Sequence, residues 1–369
     1  MKLIHSADWQ LGKTFGRFEA EVRSALGDAR FDAIDALGTA AAQHGARHVL
    51  VAGDVFDTEG PDDRTIVQAL SRMDRHACNW WLLPGNHDSA RNGGLWDRIR
   101  RRAGGRISVL TAPEPKEIES GVWILPAPLE HRHHVEDPTE NFDVMETPDG
   151  ALRIGLAHGS IRDFGSQGDT KNKIAPDRAR LSRLDYLALG DWHGALRVDG
   201  RTWYSGTPET DGFQRDEPGR ALVVELLPGS EPVVTQIRTG RFQWLIRDWV
   251  VSDEAAFNAE CEQLLNDVHA STTLLRLTLS GIVSLTDRIA ILARIENDLG
   301  HQLRYLEVRE NDLVGRPSEQ DIANLAVEGM LGEAARMLNA QIEAGGDDTV
   351  LARRALERLF VEYSRVGTA

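Results

Sequence analysis

Short apolar runs that stop abruptly at polar, glycine-flanked residues set the rhythm of the first 240 residues. Lys2-Leu3-Ile4-His5-Ser6-Ala7 reads as a buried strand ending at Asp8. Helix-period apolar positions (Val22, Leu26, Phe31, Ile34, Leu37) then run from Glu19 to His44, and Gly45 supplies the stop. His48 to Ala52 is a second strand, closing at Gly53-Asp54-Val55-Phe56-Asp57. Gly60-Pro61 opens a helix over Arg64 to His76, and a third strand, Trp80 to Leu83, meets Pro84-Gly85-Asn86-His87-Asp88. Pro and Gly end a strand and permit a tight turn, which leaves the three polar residues at the strand's carboxyl end. Strand and helix alternating in this way predict an α/β sheet, and that edge of such a sheet is where ligands bind.

A helix around Gly94 to Arg102 follows. Strand-like pieces then come at closer spacing: 106–110, 122–126, 153–157, 185–189, 201–204, 221–226 and 233–238. They predict a second sheet stacked on the first. After Gly240 the pattern restarts as a compact β-α-β-α-β unit, with strands over 242–251, 272–279 and 302–308 and helices over 254–268 and 285–299. Ser318 to Arg365 has helical periodicity, broken at Gly345-Gly346-Asp347. The predicted division is 1–243, a small domain 244–312, and a helical tail 313–369.

Composition narrows the class. The 369 residues are 41% hydrophobic and 27% charged, ordinary for a soluble globular protein. No apolar stretch approaches the ~18–20 residues of a membrane span. The two cysteines make neither a disulfide framework nor a zinc cluster, so a cytoplasmic home is expected. A net charge of −15 excludes a generally nucleic-acid-coated surface and leaves a local basic groove open. A phosphate substrate would have to be drawn in by metal ions or clustered arginines.

The polar strand ends form a set: Asp8 and Gln10, Asp54 and Asp57, Asn86, His87 and Asp88, His158, and Asp191 with His193. Each has an ordinary reading alone: a helix cap for Asp8, a satisfied core histidine for His158, a plain turn for Gly190-Asp191. Together, carboxylate, amide and imidazole groups converging at one sheet edge suit two divalent cations. Such cations lie ~3.5–4 Å apart and clamp the attacking and leaving oxygens of a phosphate ester.

The order Asp8-x-Gln10, Gly53-Asp54-x-x-Asp57, Gly85-Asn86-His87-Asp88, His158-Gly159 and Gly190-Asp191-x-His193 resembles the calcineurin-like metallophosphoesterases. His5-Ser6-Ala7-Asp8-Trp9-Gln10-Leu11-Gly12 and Tyr204-Ser205-Gly206-Thr207-Pro208 look more narrowly like the SbcD-type nuclease subunits of DNA-repair complexes. The resemblance implies a four-layer αββα sandwich with a small α/β capping domain facing DNA and carboxyl-terminal helices that hold a coiled-coil ATPase of the SbcC type. It implies DNA exo- or endonuclease activity and a homodimer. It places Asp8, Gln10, Asp54 and His193 on one metal, and Asp54, Asn86, His158 and Asp191 on the other. His87 would stabilise or protonate the reacting phosphate with Asp88 orienting its ring, and a hydroxide activated by the two ions would attack. Gln10 and Asp191 stand where the family usually has histidine. Losing two imidazoles for an amide and a carboxylate oxygen shifts the expected metal toward Mn, with Mg or Fe next.

Arg162, Lys171, Lys173 and Arg178 follow His158 and are the candidates for contacting DNA phosphates. His131-Arg132-His133-His134 reads as a solvated loop, and the run Arg98, Arg100, Arg101, Arg102 and Arg106 as either a helix face or a DNA contact. Two rival functions stay open: a phosphoesterase acting on nucleotides or phosphoproteins, and a scaffold subunit that binds DNA ends without cutting.

Overall fold

The computed structural model describes residues 1–369 apart from 92–93, 162–171, 215–216, 317, 319–320, 322–329, 347 and 368–369, and apart from the side chains of 357 and 360–367. The chain divides into two compact units, Met1–Gln243 and Trp244–Ala369.

In the first unit the strands are β1 (Lys2–Ser6), β2 (His48–Val51), β3 (Asn79–Leu82), β4 (Ile107–Val109), β5 (Lys116–Glu119), β6 (Val122–Ala127) and β7 (Leu152–His158). There follow β8 (Ser160–Ile161), β9 (Lys173–Ile174), β10 (Tyr186–Gly190), β11 (Leu196–Arg197), β12 (Thr202–Tyr204), β13 (Arg220–Glu225) and β14 (Val233–Arg238). One six-stranded sheet has the order β14-β13-β1-β2-β3-β4, the other β11-β12-β10-β7-β6-β5. β1 to β4 pair in parallel, as do β6, β7, β10 and β12. Parallel pairing brings the carboxyl ends of β1, β2 and β3 to one edge of the first sheet, and those of β7 and β10 to one edge of the second.

Alternation along each strand builds the layers. Ile4, Val49, Val51, Trp80 and Leu82 pack outward under helices α1 (Ala20–His44), α2 (Asp63–Asp74) and α3 (Leu95–Arg100). Leu3, Leu50 and Trp81 point the other way, against Ile124, Ile154, Leu156 and Ala188 of the second sheet. The outer face of that sheet (Leu125, Ala157, Leu187, Leu189) is covered by Phe142, Met145 and the short helix α4 (Arg178–Leu181). The result is the expected four-layer αββα sandwich. Lys116–Glu119 adds an edge strand that its polar Lys-Glu-Ile-Glu sequence did not announce.

The second unit has a three-stranded sheet of order β15-β16-β17: β15 (Gln243–Val250), β16 (Thr273–Ser284) and β17 (Tyr305–Arg316). Helices α5 (Glu254–Asp267) and α6 (Leu285–Arg294) cover it through Phe257, Cys261 and Ile291. Helices α7 (Met330–Ala344) and α8 (Thr349–Gly367) add Ala335 and Leu356 to a small cluster with Leu285.

Candidate metal centre

The loops that leave these strand ends are held in costly backbone conformations. Asp8 (φ 55°), Gln10 (φ 44°), Asp54 (φ 53°) and Asp191 (φ 99°) are all left-handed non-glycine residues, a state that persists where surrounding structure imposes it and that clusters at active sites. The imposing bonds are visible. Asp8 N donates to Gly53 O (3.1 Å) and Gln10 N to Asp54 O (2.9 Å), zipping the first two loops together. Thr207 donates its hydroxyl to Asp8 O (2.9 Å) and its N–H to His193 O (3.1 Å), tying in the last. Glycine lets these loops touch: a Cβ on Gly190 would lie 2.0 Å from Ala52 O, and one on Gly53 2.3 Å from His158 Nδ1.

Ligand atoms of buried Asp8, Asp54 and His158 lie within 4.8 Å of one another. His158 Nδ1 is bonded to Ala52 O (2.8 Å), so Nε2 faces the cluster. Asn86 Oδ1 lies 2.9 Å from that Nε2 and 3.1 Å from both carboxylate oxygens of Asp54. Lone pairs converging from four residues repel unless a positive charge sits among them. A proton on His158 relieves this in part, and its pKa is correspondingly raised to about 9: burial opposes protonation, but Asp54, Asp8 and Asp191 together outweigh it. Exchanging the amide oxygen and nitrogen of Asn86 would relieve it another way. A divalent cation relieves it fully, and two carboxylates, an amide oxygen and an imidazole are a donor set for Mn, Fe, Mg or Zn. Asp8 is held at about 6, chiefly by burial. Asp191 adjoins the cluster: its N–H donates to Asp8 (3.1 Å to Oδ2), Ser160 Oγ donates to its Oδ2 (2.5 Å), and its Oδ1 is 3.8 Å from His158 Nε2.

Gln10 and His193 lie on the other side, with partners the sequence did not suggest. Lys13 Nζ donates to Gln10 Oε1 (2.8 Å), while Gln10 Nε2 faces His193 Nε2 at 3.4 Å. His193 Nδ1 lies 3.5 Å from Asp211 Oδ1. Asp211 also receives Lys13 and the buried Arg30 (3.2 Å), which with the His193 bond overcome its desolvation and hold it far below the usual carboxylate range. The same Asp211 bond raises the His193 pKa against the opposing effect of burial. Lys13 sits only five residues after Asp8, so it was findable; Asp211 was not, being brought in from nearly 200 residues away.

Asp88 does not orient the His87 ring as expected. The His87 ring is oriented by the backbone carbonyl of Asp57, 2.9 Å from Nδ1, and the His87 backbone N–H donates to Asp54 Oδ1 (2.9 Å). The Asp88 carboxylate is turned inward to accept from Phe56 N (3.0 Å) and Gly85 N (2.6 Å). Asp88 therefore braces the turn that carries Asn86 and His87. Burial and the Asp54 charge push its pKa up to about 7. His5 is a packing residue bonded to Tyr186 Oη (2.8 Å), and burial lowers its pKa to about 3.

Of the proposed phosphate contacts, Arg162 and Lys171 lie outside the described residues. Lys173 pairs through its backbone with Ser160, two residues beyond His158. Arg178 is buried, its guanidinium committed to Asp137 (2.9 Å) and Asp143 (3.0 Å), and so cannot face DNA as expected. Arg98 and Arg102 both pair with Asp63 (Arg102 at 3.1 Å).

Residues 1–224 match the family model for calcineurin-like phosphoesterase. The chain belongs to that family. It is accordingly a metal-dependent hydrolase, and the phosphoesterase domain carries the Asp8–Asp54–His158 cluster as its candidate metal centre. The chain is similar to the SbcD component of the SbcCD nuclease of Escherichia coli (strain K12), with 34% identity over 269 residues, 62% of this chain and 64% of that protein. It is also similar to the corresponding SbcCD nuclease component of Bacillus subtilis (strain 168), with 30% identity over 143 residues, 38% of this chain and 31% of that protein. It thus spans less than two thirds of either relative. Among the described residues of this phosphoesterase no helix is long and apolar enough to cross a membrane.

Proposed function

We propose that this phosphoesterase is a DNA exo- or endonuclease of the cytoplasm, acting as a homodimer with a coiled-coil ATPase of the SbcC type. The observation that carries the reading is the convergence of the Asp8, Asp54, Asn86 and His158 side chains beside His87, in a chain whose similar relatives are named as SbcCD nuclease components. Those four residues, with Asp191, would hold divalent metal, with Mn favoured by the oxygen-rich set. Bound metal would supply Lewis-acid charge that activates water and neutralises the phosphate. The chain itself supplies proton handling and positioning. His87 Nδ1 donates to Asp57 O, which orients the ring and leaves Nε2 free; in its doubly protonated imidazolium form the ring would give the Nε2 proton to the leaving oxygen and remain as the neutral Nδ1–H tautomer. Asp88 keeps that turn rigid, and Lys173 stands near the His158 loop to meet a flanking phosphate. Met330, Leu331 and Met337 on α7 and Val350 and Leu351 on α8 are exposed apolar side chains that the ATPase would cover.

The test is Mn-dependent cleavage of linear duplex DNA by wild type and by His87→Ala. Loss of cleavage with DNA binding retained supports the nuclease. Hydrolysis confined to small phosphodiesters supports a nucleotide- or phosphoprotein-directed enzyme. Binding without any cleavage supports an end-binding scaffold.

A further inference from the structure

We propose that this centre holds one tightly bound divalent ion, at Asp8, Asp54, Asn86 and His158, and that the Lys13 ammonium takes the place of a second. The inference rests on the metal-centre reading above. An ammonium has only donors, so the 2.8 Å bond from Lys13 fixes the Gln10 amide with its oxygen toward Lys13 and its NH2 toward His193. The two potential ligand atoms on this side are therefore both engaged. Gln10 Oε1 accepts from Lys13, and His193 Nε2, with Nδ1 turned to Asp211, faces the Gln10 NH2 at 3.4 Å. On the Asn86 side no lysine intrudes: the Asn86 amide and His158 Nε2 meet at 2.9 Å beside the Asp54 carboxylate, a set of donors free to turn toward a cation.

The lysine is anchored rather than incidental. Asp211, with its side chain only 10% exposed, binds both Lys13 and Arg30, and Arg30, 1% exposed, is itself fixed to Trp9 O at 2.5 Å. A cation entering between Gln10 and His193 must turn the amide round, break the lysine bond and share the corner with the Lys13 charge. A histidine at position 10 would offer an imidazole nitrogen, a stronger donor to a transition metal than an amide oxygen. Lys13, itself partly exposed, then presents a fixed positive charge, and Gln10 an N–H donor, where a phosphate would otherwise meet a metal ion.

The experiment is titration of the chelator-stripped full chain with Mn2+ alone, followed by calorimetry and electron paramagnetic resonance. Wild type is expected to take one tight equivalent with a single-ion spectrum. Lys13→Met combined with Gln10→His is expected to bind a second ion at least about tenfold more tightly than wild type and to show an exchange-coupled pair. Lys13→Arg, which keeps the charge and the Asp211 contact, should stay at one ion, and retention of the tight first equivalent in the double variant shows that it is folded. Two equivalents of similar affinity in wild type, unchanged by Lys13→Met, overturn the inference and leave the metal centre standing. No tight Mn2+ in wild type overturns both.

Discussion

Gly85→Ala is the sharpest perturbation of the centre, because it changes no ligand. A Cβ on Gly85 would lie 2.2 Å from Asp54 Oδ1 and 2.4 Å from Asp54 N, where real Cβ contacts rarely fall below 3.4 Å. Either Asp54 or the turn bearing Asn86 and His87 must retreat by about 1 Å, several times the ~0.2 Å tolerance of metal–ligand distances. Overpacking of this kind costs about 1–3 kcal/mol. For a unit of this size each kcal/mol lowers the melting temperature by about 2–4 °C. The larger effect is on metal, since Asp54 is central to the donor set, and Mn2+ affinity is expected to fall by about 100-fold. Calorimetric Mn2+ titration beside thermal unfolding separates the two effects. Gly105→Ala is the control, because its Cβ meets nothing within 4 Å. Wild-type Mn2+ affinity in Gly85→Ala would refute the placement of Asp54 in the centre.

Three further outcomes follow from the same geometry. The metal-free His158 pKa is raised from 6.5 to about 9, so its stabilising contribution is complete below 6.5 and lost as pH rises through 9; bound metal must displace that proton, and Mn2+ affinity should climb between those values with about one proton released, measured by calorimetry in buffers of different ionisation heat. A flat pH profile contradicts this. Arg178→Met leaves buried Asp137 without its cation and should cost about 3–5 kcal/mol in thermal or urea unfolding, while the folded variant binds DNA like wild type; a selective loss of DNA binding would restore Arg178 as a phosphate contact. Tyr204→Phe removes the hydroxyl that donates to Gly159 O (2.7 Å) and accepts from Ile161 N (3.0 Å), for about 1–3 kcal/mol and weaker Mn2+ binding through a loosened His158 loop; unaltered Mn2+ affinity would show that the loop holds without it.

What the sequence determined by itself was the scaffold and the inventory. An apolar run that ends at Gly or Pro is a local signal, so the strands before Asp8, Asp54, Asn86 and Asp191, and the helices between the first three, were legible, as was the parallel-sheet edge that gathers their ends. Side-chain partnership was not. Asp88 follows His87 in sequence, yet its carboxyl group finds two backbone N–H groups beneath the turn, because a buried polar group goes where partners are fixed. Arg178 looked like a free cation, and Asp137 and Asp143 in a loop about 40 residues upstream claim it. The departure at Gln10 was plain in the sequence. Its consequence depends on Lys13, Asp211 and Arg30, which only the folded chain brings together, since the direction of an amide is set by the charges around it and those arrive from distant segments.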